Sequence, residues 1–123
     1  MFKPTVLVVG THHSVLLGSE KPKSQTLNLN SVLMILPMGS TVPLTLYEDL
    51  RGSLPNLLAV GQGYAMSEAY TLLTLSFEVK YLGNVQQYTT LKIIDPENGQ
   101  LCEPGEVGEV LVKCPGLMKG IYL

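Results

Sequence analysis

The chain has no tryptophan, only two cysteines in 123 residues, and charged side chains at 15% of its positions. Cys102 and Cys114 are too few for a disulfide scaffold and lack the tight Cys-x-x-Cys spacing of a zinc site, so both read as ordinary thiols of a reducing compartment. Basic residues are not in excess. A formal net charge of -2 and a pI near 5.6 give no positive field for a phosphate backbone or an anionic lipid surface, which argues against nucleic acid as a partner. Apolar runs such as Thr5 to Val9 and Val32 to Leu36 fall far short of the ~20 residues that a membrane-crossing helix needs. The opening MFKPTVLVVG carries a proline and no evident small-residue cleavage site, unlike a signal peptide. A hydrophobic content of 46% is that of an ordinary globular domain with its own core, and the chain reads as soluble and intracellular.

The apolar residues fall into two textures. Thr5-Val-Leu-Val-Val9 ends at Gly10 and has the continuous β-branched character of a strand buried on both faces, as in a parallel sheet. A short helix follows over His13 to Leu17, and the polar segment Gly18 to Asn30 reads as a surface loop. Ser31 to Met38 is a second apolar run. Pro43 suits the first turn of a helix in which Leu44, Leu46, Tyr47 and Leu50 recur at helical spacing and which Gly52 ends. Leu57 to Val60 is a third strand candidate. Beyond it, Leu91 to Ile94, the turn DPENG and Glu109 to Lys113 have the look of antiparallel strands. The boundary falls near Tyr81 to Gly83, with an α/β, parallel-sheet portion over 1–82 and a small antiparallel β portion over 83–123.

The stretch Gly61 to Ala69, GQGYAMSEA, concentrates the chemistry. Glycine lets a backbone approach a ligand closely, and the tip of a strand is where α/β proteins bind ligands. Tyr64 offers a flat face, Ser67 a hydroxyl donor and Glu68 a hard oxygen, the parts that hold a magnesium nucleotide. By spacing alone the same residues also make a glycine-rich turn with Ser67 capping a following helix, which is the commoner use of such a stretch.

The wider pattern resembles the adenylate-forming superfamily, the AMP-dependent synthetases and ligases. Tyr64-Ala-Met-Ser-Glu68 is similar to its Tyr-Gly-x-Thr-Glu motif. Upstream, Met38-Gly-Ser-Thr-Val-Pro-Leu44 resembles the family's Gly-Gly-Ala-Pro-Leu turn, with Ser40, Thr41 and Val42 in place of the small residues. Downstream, Leu82-Gly83 and KIIDPENGQLCEPGEVGEVLVKCPGLMKG resemble the family's Val-Gly, Lys-Ile-x-Asp, Pro-Gly-Glu-x-Gly-Glu and Met-x-Gly-Tyr blocks. All three arrive in the family's order. The likeness is strongest to its acyl-CoA synthetase, coumarate-CoA ligase and luciferase branch.

That resemblance implies the central piece of the large N-terminal domain of an ATP-dependent acyl-CoA ligase. Such an enzyme joins a carboxylic acid to AMP with release of pyrophosphate and then passes the acyl group to coenzyme A. The implied partners are a small carboxylic acid and a nucleotide, the implied cofactors ATP or AMP, Mg2+ and coenzyme A, and the implied setting cytoplasmic or peroxisomal. Tyr64 would lie near the adenine, Ser67 would stand in for the phosphate-bonding threonine, and Glu68 would be the magnesium-associated carboxylate. Gly63, Ala65, Ser40, Thr41 and Val42 would complete the nucleotide contacts. Ala65 replaces a family glycine, so a position needing positive φ or a bare backbone would be strained by its methyl.

Other residues invite blander readings. His12 and His13 are neighbours whose side chains diverge on a strand or helix, with no acidic or thiol partner near in sequence. Glu103, Glu106 and Glu109 are interleaved with Pro104, Gly105 and Gly108 and read as solvated turn charges rather than a hydrolytic pair. The family's glycine- and Ser/Thr-rich phosphate loop, its ribose-binding Thr-Gly-Asp segment and its C-terminal lysine have no counterpart here. The resemblance therefore predicts a chain nearly inert alone, with a decayed, non-catalytic binding module as the rival reading.

Overall fold

A computed structural model describes residues 3–19 and 29–121. They group into two compact units, Met1–Gly63 with Leu75–Asn84, and Tyr64–Thr74 with Val85–Leu123.

The first unit is built on a parallel sheet. β1 (Val6–Gly10) runs into α1 (Thr11–Ser19), β2 (Met34–Met38) into α2 (Leu44–Ser53), and β3 (Ala59–Val60) closes the order β1-β2-β3. Leu7 pairs with Ile35, Val9 with Pro37, and Ile35 with Val60, so these side chains share a face. That face carries the core: Val32, Ile35, Val42, Leu46, Leu50, Leu54, Leu57 and Val60, with Leu7, Val9, Leu17, Leu29 and Tyr47 packed against it. Leu46 and Leu50 lie four apart on α2 and project to one side of it. The Ser53 hydroxyl donates to the Gly18 carbonyl at 2.9 Å, fastening α2 to α1.

Several local expectations are corrected. β1 is buried on one face only, since Val6 and Val8 are 49% and 66% exposed; its unbroken apolar run does not draw a second covering layer from the described residues. Its helix starts at Thr11 rather than His13. Pro43 stands outside α2 as its N-cap, with ψ at 151°, and its carbonyl accepts the first helical bond from the Tyr47 N–H at 3.2 Å. Gly52 does not stop α2. The helix runs to Ser53, and the Leu54 N–H closes it on the Leu50 carbonyl at 3.0 Å. Of the expected Gly18 to Asn30 loop, residues 20–28 lie outside the described residues.

The second unit pairs its strands antiparallel. β4 (Ala65–Met66) pairs with β5 (Thr71–Leu72), as Ala65 with Leu72 and Met66 with Thr71. β6 (Thr74–Leu75) and β7 (Asn84–Val85), whose residues divide between the two units, form a separate short pair. β8 (Thr90–Ile94) and β9 (Glu109–Lys113) pair over their full lengths, Leu91 opposite Val112 and Ile93 opposite Val110. The DPENG turn next to β8 is an Asx turn: the Asp95 carboxylate accepts from the Glu97 N–H at 2.8 Å and the Asn98 amide at 2.7 Å. A parallel α/β portion followed by small antiparallel sheets is the architecture expected from the change in texture. Among the described residues no helix is long and apolar enough to cross a membrane.

Candidate functional site

Parallel pairing places Gly10 beside Met38, so the C-terminal ends of the strands share one edge of the sheet. The Ser40–Val42 turn leaves that edge directly after β2. Thr11 points its hydroxyl at the carbonyls of Met38, 3.1 Å away, and Ser40, 3.3 Å away, and one hydroxyl proton serves either. Val42 is sunk in the core, which leaves Ser40 and Thr41 exposed on the outer side of the turn.

Gly61 follows β3, and its N–H donates to the Ile35 carbonyl at 2.8 Å, continuing the ladder. A Cβ at this position would overlap the Leu36 side chain and meet the Phe77 ring at 3.1 Å. The bare backbone at Gly61 is thus taken up by packing. Gly63, two residues on, is half-buried.

The Tyr64–Glu68 motif forms one hairpin. The Tyr64 N–H donates to the Thr74 hydroxyl at 3.0 Å, and the Tyr64 carbonyl accepts from the N–H groups of Leu73 and Thr74 at 2.7 and 3.2 Å. Ala65 and Met66 form β4, a one-turn 3₁₀ segment covers Ser67–Ala69, and Tyr70 at φ 50° turns the chain back into β5. A left-handed tyrosine is uncommon, and here it closes the turn through its N–H to the Ser67 carbonyl at 3.1 Å. Ser67 is not a helix cap. The capping position belongs to Met66, which has no hydroxyl, and the Ser67 and Glu68 side chains are exposed at the tip. Ala65 is extended and exposed; positive φ among described non-glycine residues is confined to Tyr70 and Tyr88, so the methyl causes no backbone strain.

The tip is braced from downstream sequence. The Met118 N–H donates to the Glu68 carbonyl at 2.7 Å, and the Cys114 thiol lies 3.8 Å from the Ala69 carbonyl. Gly116 passes so close that a Cβ there would sit 2.5 Å from the Ala69 oxygen. The hairpin thus carries a half-buried aromatic residue at Tyr64 and exposes a hydroxyl and a carboxylate at its tip. A profile of the AMP-binding enzyme family matches residues 1–122.

The chain belongs to the AMP-binding enzyme family.

Among curated proteins, the chain is similar to 4-coumarate-CoA ligase 1 of Glycine max, 32% identical over 115 residues, covering 86% of this chain and 39% of that protein. It is 35% identical over 96 residues to 2-succinylbenzoate-CoA ligase of Bacillus subtilis, covering 75% of this chain and 19% of that protein. Among solved structures, the luciferase-like enzyme of the nonluminescent mealworm Zophobas morio superposes with a TM-score of 0.81 at 29% identity, over 98% of this chain and 30% of that one. The chain therefore spans about two fifths or less of the length of these relatives.

In this AMP-binding enzyme chain, Ser40, Thr41 and Val42 share one turn of the first unit, with Gly63 also in that unit, while Tyr64, Ala65, Ser67 and Glu68 share one hairpin of the second. Among the described residues no cluster of three or more His, Cys, Asp or Glu side chains is arranged for a metal. Glu68 nonetheless suits Mg2+, which keeps most of its water and binds through one or two carboxylates together with substrate phosphates. The His12 and His13 rings meet edge to face, 5.7 Å between centroids, in the first turn of α1. In the Glu103–Glu106 turn, the Glu106 carboxylate accepts from the Glu103 N–H at 2.8 Å. A shallow cavity of about 320 Å³ lined by Ser76, Glu78, Tyr81, Gly83 and Asn84 includes no motif side chain. Sequence reasoning missed Thr74 and Gly116, which hold the hairpin through a hydrogen bond and a close approach, and Gln62, which bonds distant segments of the first unit; only the Gly116 block had a cue, in its family likeness.

Proposed function

We propose that this chain is the nucleotide-binding portion of an ATP-dependent acid-thiol ligase. The observation that supports the reading is the braced hairpin, in which exposed Ser67 and Glu68 stand on a turn held by the Tyr70 N–H to the Ser67 carbonyl and the Met118 N–H to the Glu68 carbonyl. Tyr64 packs near the adenine, and the Ser67 hydroxyl donates to a phosphate oxygen. Glu68 would hold Mg2+, which would supply charge neutralisation for the phosphates when bound. Ser40, Thr41, Val42 and Gly63 of the first unit, and Ala65 of the second, are further candidate nucleotide contacts, each within its own unit. In the whole protein a substrate carboxylate oxygen bonds to the α-phosphorus as the bond to pyrophosphate breaks, and a thiol such as coenzyme A then displaces AMP. The acid is of the class named for the relatives, an aromatic or aryl-substituted carboxylate.

Calorimetric titration of the 123-residue chain with Mg-ATP tests this reading: saturable binding weakened by Glu68→Ala is expected, with no pyrophosphate exchange for 4-coumarate, 2-succinylbenzoate or a fatty acid. Absence of saturable binding overturns it. A second reading, a decayed copy that binds without catalysis, draws on Ala65, whose methyl stands where the family has glycine. Genomic DNA beside the reading frame separates the two, because an in-frame upstream phosphate loop favours the ligase and stop codons on both sides favour the copy.

A further inference from the structure

We infer that Gln62 is a positioning residue, whose buried carboxamide locks the Ser40–Val42 turn and the 78–81 loop to the end of β3. Gln62 is only 6% exposed, unusual for a polar side chain next to a candidate ligand site. Its backbone is used up by Ser76: the Gln62 N–H donates to the Ser76 carbonyl and the Ser76 N–H to the Gln62 carbonyl, both at 2.8 Å. Its side chain spans two further segments. Oε1 accepts from the Val42 N–H at 3.4 Å, while Nε2 donates to the carbonyls of Val79 at 2.6 Å and Tyr81 at 3.0 Å, with the Glu78 carbonyl at 3.5 Å at the margin.

Chemistry fixes the orientation of that amide. Carbonyl oxygens only accept and a peptide N–H only donates, so a flipped amide would set oxygen against oxygen on the loop and nitrogen against nitrogen at Val42. The two short bonds to Val79 and Tyr81 use both Nε2 protons, which leaves no side-chain donor for a ligand. Gln62 therefore acts through its neighbours. At the other end of the same turn Thr11 bonds the carbonyls of Met38 and Ser40. The turn is pinned at both ends, and its exposed residues Ser40 and Thr41 face outward from a fixed backbone. A ligand that meets this turn then loses little freedom in ordering it. Ionised glutamate at position 62 has the same shape but only acceptors, and its protonated form has a single O–H, so neither can make both bonds to the loop.

The consequence for ligand binding rests on the nucleotide reading of the Ser40–Val42 turn, whereas the clamp itself does not. In the unaltered chain, hydrogen exchange followed by NMR should find the Val42 amide and both Gln62 Nε2 protons protected. Gln62→Glu and Gln62→Met should each lower protection at Val42 at least tenfold, while the β8–β9 pair keeps its own. At a temperature where circular dichroism shows each variant fully folded, AMP should bind about tenfold more weakly. Nε2 protons that exchange at the rate of a free amide in the unaltered chain overturn the clamp even if neither variant folds, as does unchanged protection at Val42 in a folded variant. Unchanged AMP affinity alongside lost protection overturns the positioning role. If the unaltered chain binds no AMP, the nucleotide reading fails, and the exchange results still decide the clamp.

Discussion

The Met118 N–H donates to the Glu68 carbonyl at 2.7 Å, joining two sequence blocks that lie far apart in the chain. One holds the candidate magnesium carboxylate, and the other is the Met-Lys-Gly block near the C-terminus. The bond fixes the backbone of Glu68 while leaving its carboxylate exposed. Close approach makes this possible, because Gly116 offers no Cβ to the Ala69 oxygen.

Gly116→Ala should therefore push the 114–118 segment off the hairpin. A methyl forced against backbone in a packed contact costs about 1–3 kcal/mol. The expected result in urea denaturation is a lower midpoint for the second unit and faster exchange of the Met118 amide. A variant with the parent midpoint and the parent exchange rate would show that the contact has room for the added methyl.

The two faces of the parallel sheet should respond differently to substitution. Leu50 is fully buried in the core, so Leu50→Ala loses transfer energy and leaves a cavity, about 2–5 kcal/mol. Val8→Thr, at a position 66% exposed, keeps the β-branch and should stay within about 0.5 kcal/mol of the parent. Denaturant midpoints of the two variants measure the contrast; a large loss at Val8 would mean that this face is covered in solution.

That contrast marks what was legible in the sequence. Continuous apolar runs identified β1 and β2 as strands of a parallel sheet, because side chains packed under helices need no polar alternation. The same runs could not tell one covered face from two, since Val6 and Val8 are as apolar as Leu7 and Val9. Gly52 looked like a stop signal, but a helix interior accepts glycine at a modest penalty of ~1 kcal/mol when its flanks pack, as Leu50 does. The hairpin of Tyr64–Glu68 was legible as a motif and not as a shape. Its brace comes from Thr74 and Met118, and nothing in the local pattern of Ser67 announces a 3₁₀ turn in place of a helix cap. Gln62 was hidden for the same reason, as all its partners are distant in sequence.

Cys102 should be a sluggish nucleophile. Partial burial, followed by the carboxylates of Glu106 and Asp95, pushes its thiol above the usual cysteine range. Both effects disfavour the thiolate, so at any pH below the raised value less of the reactive form is present. Iodoacetamide labelling followed by mass spectrometry across pH 7–10, conditions chosen about the free-thiol pKa, should place the Cys102 rate below that of a model peptide. Glu106→Gln keeps an acceptor for the Glu103 N–H and removes the charge, and should shift the profile to lower pH. An unshifted profile would leave the effect to burial and Asp95.

The hairpin tip gives the most direct test of the proposed chemistry, since its three motif side chains should fail in different ways. Glu68→Ala removes an exposed carboxylate whose backbone is held separately by Met118, so the fold should survive. The loss should fall on metal-dependent binding, with Mg-ATP affinity down about tenfold and Mg-free AMP affinity unchanged. Ser67→Thr retains the hydroxyl and should stay within about twofold, whereas Ser67→Ala should weaken both nucleotides by the value of one phosphate hydrogen bond, again about tenfold. Ala65→Gly brings no relief of φ because Ala65 is already extended, and glycine within β4 should lower stability by about 0.5–1 kcal/mol. Titrations of the four variants with Mg-ATP and with AMP plus EDTA measure the pattern. If Glu68→Ala weakens AMP without magnesium as much as it weakens Mg-ATP, the carboxylate does not act through the metal and the role given to Glu68 is wrong.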